Sequence, residues 1–284
     1  MENTFKTHFL DKLSKSDIAL IKEKGPRVVF KDKLYEGIEF FEKTHEIFER
    51  EKGTLPINDK KTVKYCNYYI PSNTYIKLLT LGGEFEIKKY DEKNNLILTD
   101  VIHLPSIIIQ QTKFWLGKDK DSKQIYQLNA KYCASIMAEI IGEPNYDLIL
   151  PVSHSNQSFS EVIGVYLGGI LSNYNEILFD SDFIQLTRKI TKQSFLSHNR
   201  RKKNIEGGFR LKHTYTDKKI LLIDDILTTG VTVLEYIKIL SASNEVDSYV
   251  MFKTKNLTFE EDTEDIEYIF NIAPKISTRN FLNF

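Results

Sequence analysis

The chain has 284 residues, of which 41% are hydrophobic and 27% charged, enough apolar residues to build a core and too many for wholesale disorder. Lys plus Arg equals Asp plus Glu at 39 each, so the overall charge does not favour a general binder of nucleic acid or membrane surfaces. The two cysteines, Cys66 and Cys133, exclude a disulfide framework and cannot build a zinc site alone, which favours a reducing, cytoplasmic setting. The longest nearly apolar run, Val162 to Leu171, is far shorter than the roughly 20 residues that span a bilayer, so we expect no membrane partner.

Residues 1 to about 60 are predicted to be helical. Ser14 offers an N-cap, and apolar residues three and four positions apart predict a helix over 36–51 that Gly53 stops. Between about 62 and 115, short β-rich runs predict strands: Tyr68-Tyr69-Ile70, Glu84 to Ile87, and Leu96-Ile97-Leu98. The polar residues 91–95 suggest a hairpin. The charged residues 117–121 are expected at a surface boundary, so we predict an N-terminal region of unknown role over 1–122 and a second domain over 123–284.

From about residue 125 the pattern changes to helices that alternate with fully apolar strands. A helical stripe runs from Ile125 to Ile140, and a second apolar helix is predicted near 160–172. The predicted strands are 148–152, 220–223 and 246–252, and a helix over 231–240 separates the last two. This alternation indicates an α/β fold with a parallel sheet covered by helices on both faces. Ligands of such sheets bind beyond the carboxyl ends of the strands, which directs attention to the residues after Val152 and Ile223.

The sequence after Ile223 combines an acid pair with a phosphate-binding turn. Asp224 and Asp225 can accept hydrogen bonds from vicinal sugar hydroxyls or face a hard divalent cation. The following Thr228-Thr229-Gly230-Val231-Thr232 leads into a helix, whose N-terminal N–H groups suit a phosphate. The alternative is that the two acids merely cap a helix. Together, the acids and the turn favour a site for a phosphorylated sugar.

Residues 223–232 resemble the 5-phosphoribosyl-1-diphosphate (PRPP) motif of type I phosphoribosyltransferases. The upstream stretches 186–188, 191–197 and 201–209 are similar to the ComF-like branch of that superfamily, which shows in order an arginine, Thr-x-Gln, Arg-x-x-Asn, Gly-Ala-Phe and the acid pair. The resemblance covers about residues 140–255. It implies a type I phosphoribosyltransferase-like sheet flanked by helices, with a mixed helical and β region before it.

The resemblance also implies roles for individual residues. Asp224 and Asp225 would hold the ribose 2′- and 3′-hydroxyls and, directly or through ribose or water, a Mg²⁺ ion. The 5′-phosphate would bind to Thr228, Thr229, Gly230, Val231 and Thr232. Ser153, His154 and Ser155 would form the pyrophosphate loop. A flexible loop over about 192–212, with Arg201 and Lys203, would close over the reacting pyrophosphate.

The charge of the segment 185–219 agrees with this loop assignment. It holds eleven Lys or Arg and two acids, in a chain whose overall net charge is zero. Such charge suits a polyanionic leaving group, and closure would exclude water from the reaction. A solvated basic surface and a nucleic-acid patch are the alternatives.

Three departures from the ComF-like pattern are visible. The chain has no four-cysteine zinc module, and residues 155–161 lack the arginine that the family carries after its first strand. The variable part that binds the acceptor could come from the N-terminal region or from the tail 256–284.

The predicted function is therefore transfer of phosphoribosyl from PRPP to an unknown nitrogenous acceptor, with Mg²⁺ and release of pyrophosphate. One alternative is a non-catalytic sensor of PRPP or a nucleotide. The other is a nucleic-acid-associated protein, for DNA uptake or defence, that uses the segment 185–219. A homodimer is expected because the superfamily often dimerises.

Overall fold

The computed structural model describes residues 4–30, 33–58, 61–69, 89–90, 96–98, 104–115, 120–152, 158–174, 176–190 and 198–254. The α-helices are α1 Thr4–His8, α2 Lys15–Lys24, α3 Ile38–Glu51, α4 Leu104–Trp115, α5 Lys120–Ile141, α6 Phe159–Leu171, α7 His198–Ile205 and α8 Val231–Leu240. The strands are β1 Arg27–Phe30, β2 Lys33–Glu36, β3 Gly53–Asn58, β4 Lys61–Tyr69, β5 Lys89–Tyr90, β6 Leu96–Leu98, β7 Leu148–Pro151, β8 Leu178–Phe179, β9 Ile184–Leu186, β10 Phe209–Leu211, β11 Lys219–Leu227 and β12 Glu245–Thr254.

One six-stranded sheet has the order β3-β4-β12-β11-β7-β8. Strand β11 runs parallel to β12 and to β7, and β7 runs parallel to β8. At the other edge, β3 and β4 form an antiparallel pair. Residues 220–223 of β11 are at most 1% exposed, as expected for a central parallel strand with both faces covered. The predicted α/β fold with a phosphoribosyltransferase-like, mainly parallel sheet is confirmed.

The helix α6 packs closely on this sheet because it carries a glycine where the two approach. A Cβ added at Gly164 would lie 2.5 Å from Cε2 of Phe179 on β8 and 3.1 Å from Cδ1 of Ile223 on β11. The Ser158 side chain caps the helix by accepting a hydrogen bond from the Glu161 N–H. The glycine therefore fixes the distance between helix and sheet at the point where β11 approaches its two acids.

Cα-contact clustering divides the chain into two units. The first contains residues 1–11, 52–67 and 130–253, and the second contains 12–51, 68–129 and 254–284. In the second unit, the order β2-β1-β6-β5 makes a separate sheet, and α3 packs against both α4 and β2. The boundary predicted between residues 122 and 123 stays a prediction. No helix among the described residues combines the length and the apolar character that crossing a membrane requires.

The prediction that residues 1 to about 60 are helical was wrong in part, because β1, β2 and β3 lie there. The Val28-Val29 pair of β1 is β-branched, which favours a strand. The N-cap at Ser14 is confirmed: its side chain accepts from the Asp17 N–H while the Asp17 carboxylate accepts from the Ser14 N–H. The predicted helix near 36–51 is confirmed as α3.

The region from 62 to 115 contains two of the three predicted strands, β4 and β6, and one helix that the pattern missed. The hairpin is confirmed by the antiparallel pairing of β5 with β6. The strand predicted over Glu84 to Ile87, and the residues 91–95 themselves, lie outside the described residues. Helix α4 was missed because its run of three isoleucines, residues 107–109, favours a strand, while Pro105 fits the first turn of a helix.

Candidate functional site

The acid pair lies on β11, within the strand and near its carboxyl end. Asp224 is paired in register with Val250 of β12, and the strand continues through Leu227, four residues beyond the predicted end at Ile223. Each carboxylate is oriented by the backbone: Asp224 Oδ1 accepts from the Asp225 N–H at 2.9 Å, and Asp225 Oδ1 accepts from the Ile226 N–H at 2.8 Å. The bound N–H groups restrict the rotamers of both acids, so the pair is pre-oriented.

The two carboxyl groups interact with each other through their charges and a side-chain hydrogen bond. Burial raises the pKa of Asp224 well above its ordinary value, and the charge of Asp225 and a side-chain hydrogen bond with it raise that pKa further. Asp224 in turn raises the pKa of the fully buried Tyr236 on α8, after the larger effect of burial. Asp225 contributes to the raised pKa of Cys133 on α5, again after burial. A cation or a hydroxyl donor bound to the pair would offset the repulsion between the acids.

A small cavity follows the acid pair, where β11 turns into α8. Its volume is about 40 Å³, several times the roughly 10–15 Å³ that one water needs. The lining residues come from one continuous stretch: Asp224 and Ile226 to Val233. All five residues predicted to bind phosphate, Thr228 to Thr232, are therefore brought together with Asp224.

Gly230 shapes this cavity. It is the N-cap of α8 with φ 71° and ψ −2°, a left-handed conformation that favours glycine, and no side chain caps the helix there. The Gly230 carbonyl accepts from the Leu234 N–H at 2.8 Å, so the helix starts immediately after it. The first N–H groups of a helix point out of its N-terminus and carry partial positive charge. A helix that opens beside the cavity without a side-chain cap suits an anion.

The predicted pyrophosphate loop, Ser153, His154 and Ser155, lies outside the described residues. Its neighbours on both sides are placed by hydrogen bonds. The Val152 N–H donates to the Ile223 carbonyl at 2.7 Å, and the Ser160 hydroxyl donates to the Val152 carbonyl at 3.0 Å. Val152 is therefore held beside the residue that precedes the acid pair.

The predicted flexible loop contains regular structure. Strands β9 and β10 form an antiparallel ribbon, and α7 lies between them in sequence. Lys203 lies on α7 with an exposed side chain, and Arg201 lies on the same helix. Residues 191–197 of the loop lie outside the described residues. The structure adds Glu235 and Tyr236 to the surroundings of the site, and no spacing signal in the sequence singles them out.

Among the described residues at the cavity, the carboxylates are those of Asp224, which lines it, and of the adjoining Asp225. Among the described residues, no group of three or more His, Cys, Asp and Glu side chains could hold a metal ion. Both cysteines are fully buried and free, and burial raises the pKa of each thiol. Buried thiols with raised pKa values are poor nucleophiles, so they are unsuited to covalent catalysis.

Comparisons with known proteins agree on one family. The model of the phosphoribosyl transferase domain matches residues 121–277, more than half of the chain. The DNA utilization proteins YhgH of Escherichia coli K12 and Shigella flexneri are each 36% identical over 70 residues, covering 25% of this chain and 31% of the relative. The matched stretch thus spans about a third of the length of these curated relatives.

The solved structures to which this chain is similar include two phosphoribosyltransferases. The purine phosphoribosyltransferase from Pyrococcus horikoshii is 18% identical, with a TM-score of 0.31, over 45% of this chain and 84% of that chain. The adenine phosphoribosyltransferase from Leishmania tarentolae is 15% identical, with a TM-score of 0.33, over 60% of this chain and 96% of that chain.

Proposed function

Because this chain belongs to the phosphoribosyltransferase family, as its ComF-like resemblance predicted, we propose that it transfers the phosphoribosyl group of PRPP to a nitrogen nucleophile. One observation carries the proposal: Asp224 and Asp225 lie directly before a small cavity that Gly230 closes at the N-terminus of α8. An acid pair followed directly by an anion site matches the two ends of a ribose 5-phosphate unit. Ribose hydroxyls would donate to the carboxylates, and the 5′-phosphate would accept from the N–H groups and hydroxyls of residues 228–232.

In the proposed reaction, the bond from ribose C1 to the pyrophosphate oxygen breaks and a bond from C1 to the acceptor nitrogen forms. The pyrophosphate takes the electron pair, and the acceptor nitrogen loses a proton. Charge therefore grows on the leaving group as C1 becomes cationic, and fixed cations near the pyrophosphate would stabilise that transition state. Arg201 and Lys203 on α7 are the candidates, together with the pyrophosphate loop at Ser153, His154 and Ser155.

The acid pair also fits a magnesium ion. Mg²⁺ prefers hard oxygen donors and is often bound through one or two carboxylates plus substrate phosphates, without a larger protein cage. Asp224 and Asp225 supply that donor type, and the repulsion that raises the pKa of Asp224 would be relieved by a cation. When bound, the ion would neutralise part of the pyrophosphate charge. The chain's own part is to orient the two carboxylates through the N–H groups of Asp225 and Ile226.

Calorimetric titration of PRPP tests the site. Wild type is titrated with and without Mg²⁺, beside the double variant Asp224→Asn, Asp225→Asn. Glu245→Gln is the control, because Glu245 is an exposed acid at the start of β12, whereas the acid pair on β11 lies beside residues further along β12. Magnesium-dependent binding that the double variant loses and the control keeps supports the proposal. Equal binding by all three proteins would contradict the assignment of the acids.

Turnover separates an enzyme from a sensor. Pyrophosphate release is followed with PRPP and a panel of nucleobases and amines. Release that depends on one acceptor and on both acids supports transfer. Tight PRPP binding with no release across the panel would instead favour a protein that senses PRPP.

A second candidate function is association with nucleic acid. The observation that favours it is the set of exposed cations on α7, Arg200, Lys202 and Lys203, in a protein similar to DNA utilization proteins. Phosphate contacts of this kind make affinity fall steeply with salt. Binding to single- and double-stranded DNA and RNA is measured across a salt series, for wild type and for Arg200→Glu, Lys202→Glu. A flat salt response, or equal binding by the variant, would count against this function.

We further propose that the protein works in the cytoplasm as a homodimer. Free cysteines such as Cys66 and Cys133 suit a reducing compartment. Sedimentation velocity checks the dimer, since a monomer across the working concentration range would exclude it.

A further inference from the structure

The basic helix α7 is held at its C-terminal end by side chains from the ribbon. Arg188, just after β9, donates from Nη2 to the carbonyls of Lys203 at 3.2 Å and Glu206 at 3.0 Å. The Thr187 hydroxyl donates to the Gly207 carbonyl at 2.8 Å. Carbonyls at the end of a helix have no partner within the helix, and a cation there also complements the helix dipole. Arg188 therefore acts as a C-terminal cap supplied from a distant part of the chain.

A second attachment joins the same point to the helix that borders the phosphate cavity. The Gly207 N–H donates to Oε1 of Glu235 on α8 at 2.9 Å. The Glu235 side chain is only 12% exposed, although the hydrogen bond itself lies at the surface, where Gly207 is exposed. Gly207 has φ +64°, which lets the chain leave the helix and present this N–H. Glu235 lies five residues after Gly230, so the segment that ends α7 is tied to the helix that begins at the candidate phosphate site.

Apolar packing alone does not fix the orientation of α7. A groove of about 620 Å³ separates much of it from α8; Lys202, Ile205 and Glu206 line one side, and Val231 and Leu234 line the other. Among the α7 side chains that the structure describes, Ile205 is the fully buried one. The exposed cations of the helix repel one another, which favours fraying unless the end is tied. The C-terminal end of α7 is therefore held by the buried Ile205, by the hydrogen bonds that Arg188 and Thr187 donate, and by the one that Glu235 accepts.

We propose that Arg188 and Glu235 are positioning residues that aim the cations of α7 at the pyrophosphate of PRPP while the cavity at Gly230 holds the 5′-phosphate. This inference rests on the proposed function of the site. Neither residue touches the reacting atoms. Their loss should weaken binding of the pyrophosphate end and leave binding of the ribose 5-phosphate end unchanged.

Paired titrations test whether Arg188 and Glu235 affect binding of the pyrophosphate end and leave binding of the ribose 5-phosphate end unchanged. PRPP with Mg²⁺ and ribose 5-phosphate are each titrated into wild type, Glu235→Ala, Glu235→Gln and Arg188→Ala. We expect Glu235→Ala and Arg188→Ala to weaken PRPP binding about tenfold, the effect of losing a hydrogen bond to a charged group, with ribose 5-phosphate binding within about twofold of wild type. Glu235→Gln keeps an oxygen acceptor and should restore PRPP binding to within about threefold of wild type. An unchanged ratio of the two affinities in Glu235→Ala, or a loss in Glu235→Gln as large as in Glu235→Ala, would overturn the proposal.

Hydrogen exchange tests the same attachment without any ligand. The amides of residues 198–208 should exchange about tenfold faster in Glu235→Ala and Arg188→Ala than in wild type or Glu235→Gln. Equal exchange in all four proteins would overturn the positioning role even if PRPP binds. If wild type binds neither PRPP nor ribose 5-phosphate, the proposed function fails and, with it, the role toward pyrophosphate; the exchange data then decide the attachment alone.

Discussion

Replacing Gly230 by alanine separates the cost of a strained backbone from the cost to ligand binding. Gly230 has φ 71° at the start of α8 and lines the cavity that we assign to the 5′-phosphate. Gly142, after the last residue of α5, also has φ 71°, and a Cβ added there would meet nothing within 4 Å. The two glycines thus share the same positive φ, and Gly230 is the one that lies at the candidate site.

The stability change follows from the dihedral angle. A residue with a Cβ in the left-handed region costs roughly 1–2 kcal/mol relative to its usual conformation. For a domain of about 150–250 residues, each kcal/mol lowers the melting temperature by about 2–4 °C. We therefore expect Gly230→Ala and Gly142→Ala each to lose roughly 2–8 °C, within about a factor of two of each other.

Binding should respond differently in the two variants. Alanine at position 230 relaxes by rotating away from positive φ, which turns the N–H groups at the helix start away from the phosphate. We expect PRPP affinity to fall at least about tenfold, or about 1.4 kcal/mol, in Gly230→Ala. Gly142→Ala should bind as wild type does.

Thermal unfolding and calorimetric titration are measured on the same three proteins, at a temperature where all are folded. Wild-type affinity in Gly230→Ala would refute the assignment of this turn to phosphate. An equal loss of affinity in Gly142→Ala would refute it as well, since general destabilisation would then explain both results.

Three other changes have expected outcomes. Gly164→Ala should lower the stability of the protein by about 1–3 kcal/mol, because the new Cβ would lie 2.5 Å from a ring carbon of Phe179. Gly169 is exposed in the same helix and a Cβ there would meet nothing within 4 Å, so Gly169→Ala should raise the stability by about 0.5–1 kcal/mol. Equal melting temperatures of the two variants would contradict the packing described for α6. Asp224→Asn should stabilise the protein at neutral pH. Because the pKa of Asp224 is raised in the folded protein, the carboxyl contributes its full stability below its ordinary pKa and loses this contribution as the pH rises through the folded-state pKa. The melting temperature of the asparagine variant should therefore exceed that of wild type by an amount that grows from acid to neutral pH. Cys66 and Cys133 should resist thiol reagents in the folded protein and react on unfolding, because burial raises the pKa of both; rapid labelling of the native protein would contradict their placement in the core.

The site was easier to predict than the rest of the chain because one continuous segment forms it. Residues 223–232 supply strand residues, two acids and a helix start in succession, so local chemistry was enough to predict that Asp224 lies beside the proposed phosphate-binding residues 228–232. The strand itself extends to Leu227, beyond the predicted end, because its pairing with β12 continues past the acids through Lys253. Pairing between strands is a long-range property that the apolar pattern of one strand does not contain.

Glu235 and Arg188 illustrate what local patterns cannot supply. Glu235 has the ordinary appearance of an exposed charge on an amphipathic helix, and its role depends on a backbone N–H 28 residues away. Arg188 reaches carbonyls 15 and 18 residues away. Backbone partners leave no residue-type signature in a single sequence. Strand β3 was missed for a related reason: with β4 it joins a sheet whose other strands begin at residue 148.

The position of β4 beside β12 constrains how the protein is made. The Lys64 ammonium donates to the Tyr249 hydroxyl at 2.8 Å across a sequence separation of 185 residues. At about 5–20 residues per second, a ribosome needs roughly ten to forty seconds to synthesise the intervening chain. During that interval β4 has no partner on its β12 side, and contacts of such high sequence separation also slow folding. Strands β3 and β4 therefore become part of the finished sheet only after β12 has been synthesised, and we expect the yield of native protein to be sensitive to chaperones that protect nascent β-strands.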